Sequence, residues 1–378
     1  MSVTMGVSAL TLALTDPDRA AATIVAAAAE TPFAAIVGVD EQGVMAAALA
    51  SERLGLPHNP PIAVARTRDK SAMRRALARE VIPQPAFALV EGGDDATAAV
   101  EQVGLPCVVK PVSLSASRGV IRANDLREVH AAVARVRAIL DAAGRPADEP
   151  LLVEGYVPGA EVAVEALLRD GVLEVLAIFD KPDPLEGPFF EETLYVTPSR
   201  LPEAVLGEIE RVTASAARAL GLREGPVHAE LRIHAGQPWM LELAARSIGG
   251  LCSRALRFGA GMSLEAVILR HALGLPLGDR TRERAASGVM MLPIPRAGIL
   301  VAVDGQARAR AVDGIGGLDI TIARGRPVVP LPEGDRYLGF LFARGADAEA
   351  VERALREAHG ELRVRIAPPA GVGTPPTG

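Results

Sequence analysis

The chain has 378 residues, of which 49% are hydrophobic and only 3% aromatic, and its formal net charge is −6. That length suffices for two or three packed domains, while the acidic balance leaves no electrostatic footprint for nucleic acid and the few aromatics offer no stacking platform for single strands. Two cysteines, Cys107 and Cys252, make no disulfide framework, and no Cys/His group has zinc spacing.

In chain order, the N-terminal 65 residues predict an α/β segment: an Ala-rich helix over 17–30, a buried strand over 34–39 and a helix over 43–54. The Gly55–Pro61 loop closes it, because Gly and Pro stop a helix there. A helix over 69–80 follows, then short strands over 86–90 and 107–110. A polar-faced helix is expected over 125–142, with strands over 151–154, 161–168 and 172–179 after it. A helix over 203–220 precedes a strand pair at 227–233 and 239–243. From residue 286 the chain is strand-rich with one late helix, the segment 337–342 reads as a core strand, and the Pro/Gly-rich residues 367–378 read as a disordered tail. No apolar run reaches bilayer length, and residues 1–14 carry no basic leader, so a cytoplasmic protein without membrane contact is expected.

Of the 40 basic residues only Lys70, Lys110 and Lys181 are lysine. Where Arg serves every generic surface charge, a retained Lys marks a place for a compact point charge, such as one binding phosphate oxygens. The alternative is codon bias with three accidental survivors. The strand pair near residue 236 adds a sharper argument. With a three-residue turn at 235–237, Glu230 and Glu242 become cross-strand partners on the face of His228, Arg232, Met240 and Ala244. The other face is then wholly apolar. Two carboxylates at roughly 5 Å repel unless a cation intervenes, and Mg²⁺ is held by such oxygens. A surface hairpin neutralised by Arg232 or Arg246 is the competing reading. The stretch after Lys110 offers Ser113, Ser115, Ser117, Arg118 and Gly119, a set able to fold over a triphosphate, though without the Gly-Lys-Ser/Thr signature of a P-loop. An ordinary Ser-rich turn is the competing reading.

Taken together, Lys70, Val109-Lys110-Pro111, Ser117-Arg118-Gly119, Glu154 to Glu161, and Glu230 with Glu242-Leu-Ala-Ala-Arg246 resemble, in order and spacing over 66–275, the ATP-grasp superfamily in its amino-acid-ligase branch. The resemblance implies a fold of mixed α/β and α+β character in which two subdomains clasp ATP. It divides the chain into a truncated N-terminal segment (1–65), an ATP-grasp domain (66–285), a C-terminal domain (286–366) and the tail. By the same resemblance Lys70 and Lys110 contact ATP phosphates, and Ser113 to Gly119 form the phosphate lid. The backbone near Glu154, Tyr156 and Val157 holds adenine, Glu161 binds ribose, and Glu230 and Glu242 ligate Mg²⁺, with Mn²⁺ as substitute. Arg246 stabilises the transferring phosphate or the tetrahedral intermediate. Apart from the resemblance, Arg254 follows the Gly249-Gly250 turn and is a candidate to clamp a substrate carboxylate bidentately.

The implied chemistry joins a small-molecule carboxylate to an amine through an acyl phosphate, and many relatives are homodimers. Two departures are visible. The family often has Asn two residues after the second metal Glu, where this chain has Ala244, and the first strand–helix unit of the preceding domain has no counterpart. A bicarbonate-activating enzyme and an ATP-binding pseudoenzyme are the alternatives. Glu191 or Glu192, beside Lys181, is a candidate for meeting an amino group, and His228 for a general base.

Overall fold

The computed structural model describes residues 9–93, 95–146 and 148–368. α1 (Pro17–Glu30) starts where sequence places it, with Asp16 accepting the Arg19 N–H at 3.1 Å and Pro at the first position. α2 (Gly43–Leu54) stops on left-handed Gly55. The expected strand over 34–39 is extended backbone without a ladder. Its side chains pack nonetheless, Ile36 on the α1–α2 cluster and Val37 on a different core. α3 (Pro61–Arg68) is a helix the pattern did not disclose. The helix expected at 69–80 is α4 (Lys70–Arg79), with Asp69 outside it as the cap of the Ser71 and Ala72 amides.

β1 (Phe87–Val90), α5 (Thr97–Val103), β2 (Cys107–Pro111), β3 (Ile121–Ala123), α6 (Leu126–Ala142) and β4 (Leu151–Gly155) build a first lobe. Its antiparallel sheet runs β1-β4-β2-β3. α6 covers one face with Val129, Ala132, Val136 and Leu140, a helical stripe.

The second lobe follows: β5 (Ala160–Arg169), β6 (Val172–Lys181), β7 (Leu194–Thr197), α7 (Glu203–Leu220), β8 (Gly225–His234), β9 (Gln237–Ala244) and α8 (Leu264–Ala272). α7 packs Ile209, Val212, Ala216 and Leu220 on the apolar face of these strands. After it come β10 (Ala286–Leu292), β11 (Gly298–Asp304), α9 (Gln306–Ala311), β12 (Ile315–Ile320), β13 (Pro327–Val328), β14 (Gly339–Gly345), α10 (Ala348–Gly360) and β15 (Arg363–Ala367). An eight-stranded sheet runs β12-β14-β10-β7-β6-β5-β8-β9, and a small one β13-β11-β15. Strands from beyond residue 286 thus extend the same sheet that carries β5 and β8. The tail lies outside the described residues from 369 on. The core strand expected over 337–342 begins at Gly339, and Tyr337 ahead of it faces the central cavity.

Candidate active site

The period of two along antiparallel strands places the chemistry. Register pairs Glu161 with Arg232, Ala163 with Glu230 and Glu165 with His228 across β5–β8, and Glu161 with Lys181 across β5–β6. Glu161, Glu165, His228, Glu230, Arg232 and Lys181 therefore share one face, and small Ala163 leaves room among them. The hairpin β8–β9 differs from expectation in detail. Its turn has two residues, Ala235 and Gly236, both left-handed, and a bulge at Leu241 makes up the missing residue, so Glu230 still faces Glu242. Met240 consequently moves to the core beside Leu231, while Leu241 lines the cavity.

This face opens on a cavity of about 790 Å³ bounded by the first lobe, the 115–117 loop, residues 39–41 and the C-terminal segment. Lys70 Nζ reaches the Leu114 carbonyl at 2.7 Å and Glu242 at 3.6 Å. Lys110 Nζ lies 2.7 Å from Glu154, whose other oxygen accepts from Arg74 Nε at 2.5 Å. Burial works to raise the Glu154 pKa, and Arg74 and Lys110 together overcome it, to about 2. Burial lowers Lys110 in spite of Glu154.

Glu161 accepts from Lys181 at 2.7 Å and from Arg232 at 2.9 Å. Lys181 also contacts Glu192 and lies 3.5 Å from Glu230. Burial and the neighbouring Glu230 carboxylate push Glu192 up to about 7. His228 Nδ1 sits 2.5 Å from Glu165 and Nε2 3.3 Å from Glu230. Burial disfavours its charge, but those two carboxylates raise it to about 9.

The predicted residues fall into two groups. Lys70, Lys110, Ser115, Ser117, Glu154, Tyr156, Val157, Glu161, Glu230, Glu242 and Arg246 line the cavity. Ser113 instead donates to Glu149, Arg118 to the Glu333 carbonyl and the Gly119 amide to the Pro332 carbonyl. Arg254 points elsewhere: it pairs with Asp319 and stacks over Phe342, outside the cavity wall. The Tyr156 ring has the Arg122 and Arg232 guanidiniums 4.1 and 5.1 Å from its centre and Phe190 nearby, while its amide donates to the Pro106 carbonyl.

Sequence reasoning missed Arg74 and Glu41. Arg74 is fully buried on the same helix face as Lys70, an i, i+4 spacing that was readable but hidden among 37 arginines. Glu41 holds Arg246 Nε at 3.0 Å and comes from 205 residues away, with no local signal.

The donor set fits a hard divalent ion. Oxygens of Glu161, Glu192 and Glu230 lie within 4.8 Å of one another, and Glu242 faces Glu230 across the hairpin. The Lys181 ammonium lies against the same three carboxylates. Ala244 is buried, offers no ligand atom and stands opposite His228.

A cavity of this size between two antiparallel lobes, closed by a hydroxyl-bearing loop and walled with lysines and paired carboxylates, defines the ATP-grasp class of enzyme. The chain belongs to that family. It matches the ATP-grasp domain over residues 103–255, L-amino acid ligase C-terminal domain 2 over 290–367 and the ATP-grasp N-terminal domain over 5–58. It is 31% identical over 231 residues to a D-alanine–D-alanine ligase of Cupriavidus metallidurans, spanning 58% of this chain and 67% of the relative. Against an alanine–anticapsin ligase of Bacillus subtilis the identity is 29% over 232 residues, 57% of this chain and 48% of that one. The crystal structure of an L-amino acid ligase from Bacillus licheniformis superposes with a TM-score of 0.78 at 26% identity, covering 94% and 86% of the two chains. The protein is an ATP-dependent carboxylate–amine ligase. Among the described residues, no helix is long and apolar enough to cross a membrane.

Proposed function

We propose that this ligase joins two amino acids, or an amino acid and a similar small acid, through an acyl phosphate, drawing on cytoplasmic Mg-ATP. The observation that carries the reading is the convergence of Lys70, Lys110, Glu230, Glu242 and Arg246 on one cavity. Lys70 and Lys110 meet phosphate oxygens as point charges, and Ser115 and Ser117 line the same cavity. When bound at Glu230 and Glu242, Mg²⁺ supplies neutralisation of ATP's phosphate charge. A carboxylate oxygen of the first substrate attacks the γ-phosphorus and ADP leaves. The amine of the second then attacks the acyl carbon, the C–O bond breaks with its electron pair leaving on phosphate, and the nitrogen loses a proton. Arg246, braced by Glu41, faces the charge that develops on the transferring group. No protein nucleophile is required.

Phosphate release from Mg-ATP over a panel of amino acids, singly and in pairs, tests this. Release that requires a particular pair, with one amide formed per phosphate, is expected. Release driven by bicarbonate in place of an amine would replace this reading with a carboxylase-type one, and ATP binding without turnover on any acid would replace it with a pseudoenzyme.

A further inference from the structure

Five long cationic side chains line the cavity: Lys70, Lys110, Arg232, Arg246 and Arg336. Three are held by a carboxylate from a distant part of the chain, namely Glu154, Glu161 and Glu41, and Lys70 donates to the Leu114 carbonyl at 2.7 Å. Arg336 is different. Among the described residues its one ion pair is with the adjacent Asp335 at 3.7 Å, beyond hydrogen-bond reach, and its side chain is 80% exposed.

The loop that carries Arg336 is nonetheless fixed. The Pro332 carbonyl accepts from the Gly119 amide at 2.9 Å, and the Glu333 carbonyl accepts from Arg118 Nε at 2.9 Å. The Glu333 carboxylate takes both Nε and a terminal nitrogen of Arg135, at 2.7 and 3.1 Å. Gly334 makes the turn tight enough that a Cβ there would meet the Val329 carbonyl oxygen at 2.0 Å. On the far side the Thr321 hydroxyl donates to the Tyr337 carbonyl at 3.2 Å. The loop is thus strapped between the 115–119 loop and Thr321, just after β12, with Arg336 at the exposed rim of a cavity in which Lys70 and Lys110 are buried.

Resting on the ligase reading above, we infer that Arg336 recognises the free carboxylate of the amine-donating substrate. The chemistry leaves one such group. The first substrate's carboxylate becomes the acyl phosphate, so in a reaction of two amino acids only the second keeps a free carboxylate throughout. Its amine must point to the phosphate end, which turns that carboxylate outward. The buried cations Lys70 and Lys110 are already committed to acceptors within the protein, and the uncommitted guanidinium lies at the exposed rim, the side to which that carboxylate turns. A planar fork also suits a carboxylate better than a lysine does.

The test compares each accepted amine-donating amino acid with its carboxamide, which keeps the amine and removes the charge. The wild-type enzyme is expected to prefer the acid, and Arg336→Gln to raise the KM for the acid by about tenfold or more with little change for the carboxamide. Arg336→Lys should recover part of the preference. The loop makes no bond through this side chain, so both variants should fold, which thermal unfolding checks. Equal losses on acid and carboxamide would overturn the assignment, as would a rise confined to the KM for ATP, which would give the guanidinium to phosphate instead. Absence of amide from any substrate pair with the wild-type enzyme would remove the ligase reading itself, and this inference with it.

Discussion

At the scale of single residues, the site is held by ion pairs that sit out of water, and these respond to change differently from surface pairs. The buried triad Arg74–Glu154–Lys110 is the clearest case, since removing its carboxylate leaves two buried cations facing each other. Glu154→Gln is expected to destabilise the protein by about 3 kcal/mol, measured by urea unfolding at neutral pH. The same carboxylate gives an acid limb to stability. Its pKa falls from 4.5 to about 2 on folding, so the stabilisation is complete above pH 4.5 and is lost as pH drops through that interval. Glu154→Gln should therefore flatten the fall in stability between pH 4.5 and 2, and an unchanged acid slope would show that other groups set it. In contrast, the exposed pair Arg308–Glu361 is worth about 0–1 kcal/mol to stability.

At the scale of elements, the strands β5 and β8 decide whether the catalytic face exists at all. They meet most tightly at Gly159, just before β5, where φ is +112° and a Cβ would lie 2.1 Å from the Ile233 carbonyl oxygen. Gly159→Ala must push β8 from β5, and with it Glu230 and Arg232 from Glu161. A loss of about 3 kcal/mol is expected from the combined strain and displacement, together with weakened ATP binding by calorimetry. Gly171→Ala, in the β5–β6 turn with a left-handed φ but open space around it, is the matched control and should cost only about 1–2 kcal/mol.

The same elements show what sequence can carry. The helices 17–30, 43–54 and 203–220 are readable to the residue because Asp16, Gly55 and Gly221 cap or stop them. β8 and β9 are readable because a hairpin is local. The short β3, β7 and α5 leave too few residues for a period, and 34–39 is strand-like in composition but has no ladder partner. In the site, Glu230 facing Glu242 follows from local spacing, with the bulge at Leu241 compensating for a shorter turn. The contacts Glu41–Arg246, Arg74–Glu154 and Lys181–Glu192 join residues by tertiary packing alone, and nothing in the spacing discloses them. Arg254 was singled out for its residue type, but packing turns it to Asp319.

At the scale of the whole molecule, a boundary near residue 286 divides the sequence but not the sheet. β10 pairs with β7 through Ser287–Met290, and Leu194 and Val196 of β7 lie in one core with Leu341, Val351 and Leu355 from beyond the boundary. The loop at Arg118 and Gly119 is tied to the same C-terminal segment through Pro332 and Glu333. Cutting the chain at 285 would leave β7 without its outer neighbour, strip its apolar side chains of cover and free that loop. Each large side chain so exposed forfeits about 1.5–3 kcal/mol, and a handful of them matches the whole stability of an ordinary domain. The fragment 1–285 is therefore expected to show no cooperative unfolding transition and no ATP binding, even though it contains Lys70, Lys110, Glu230, Glu242 and Arg246. A fragment that melted cooperatively and bound ATP would mean that the C-terminal strands only decorate a complete catalytic unit. The expected failure would instead make the C-terminal segment a wall of the active site, the position from which Arg336 reaches the cavity.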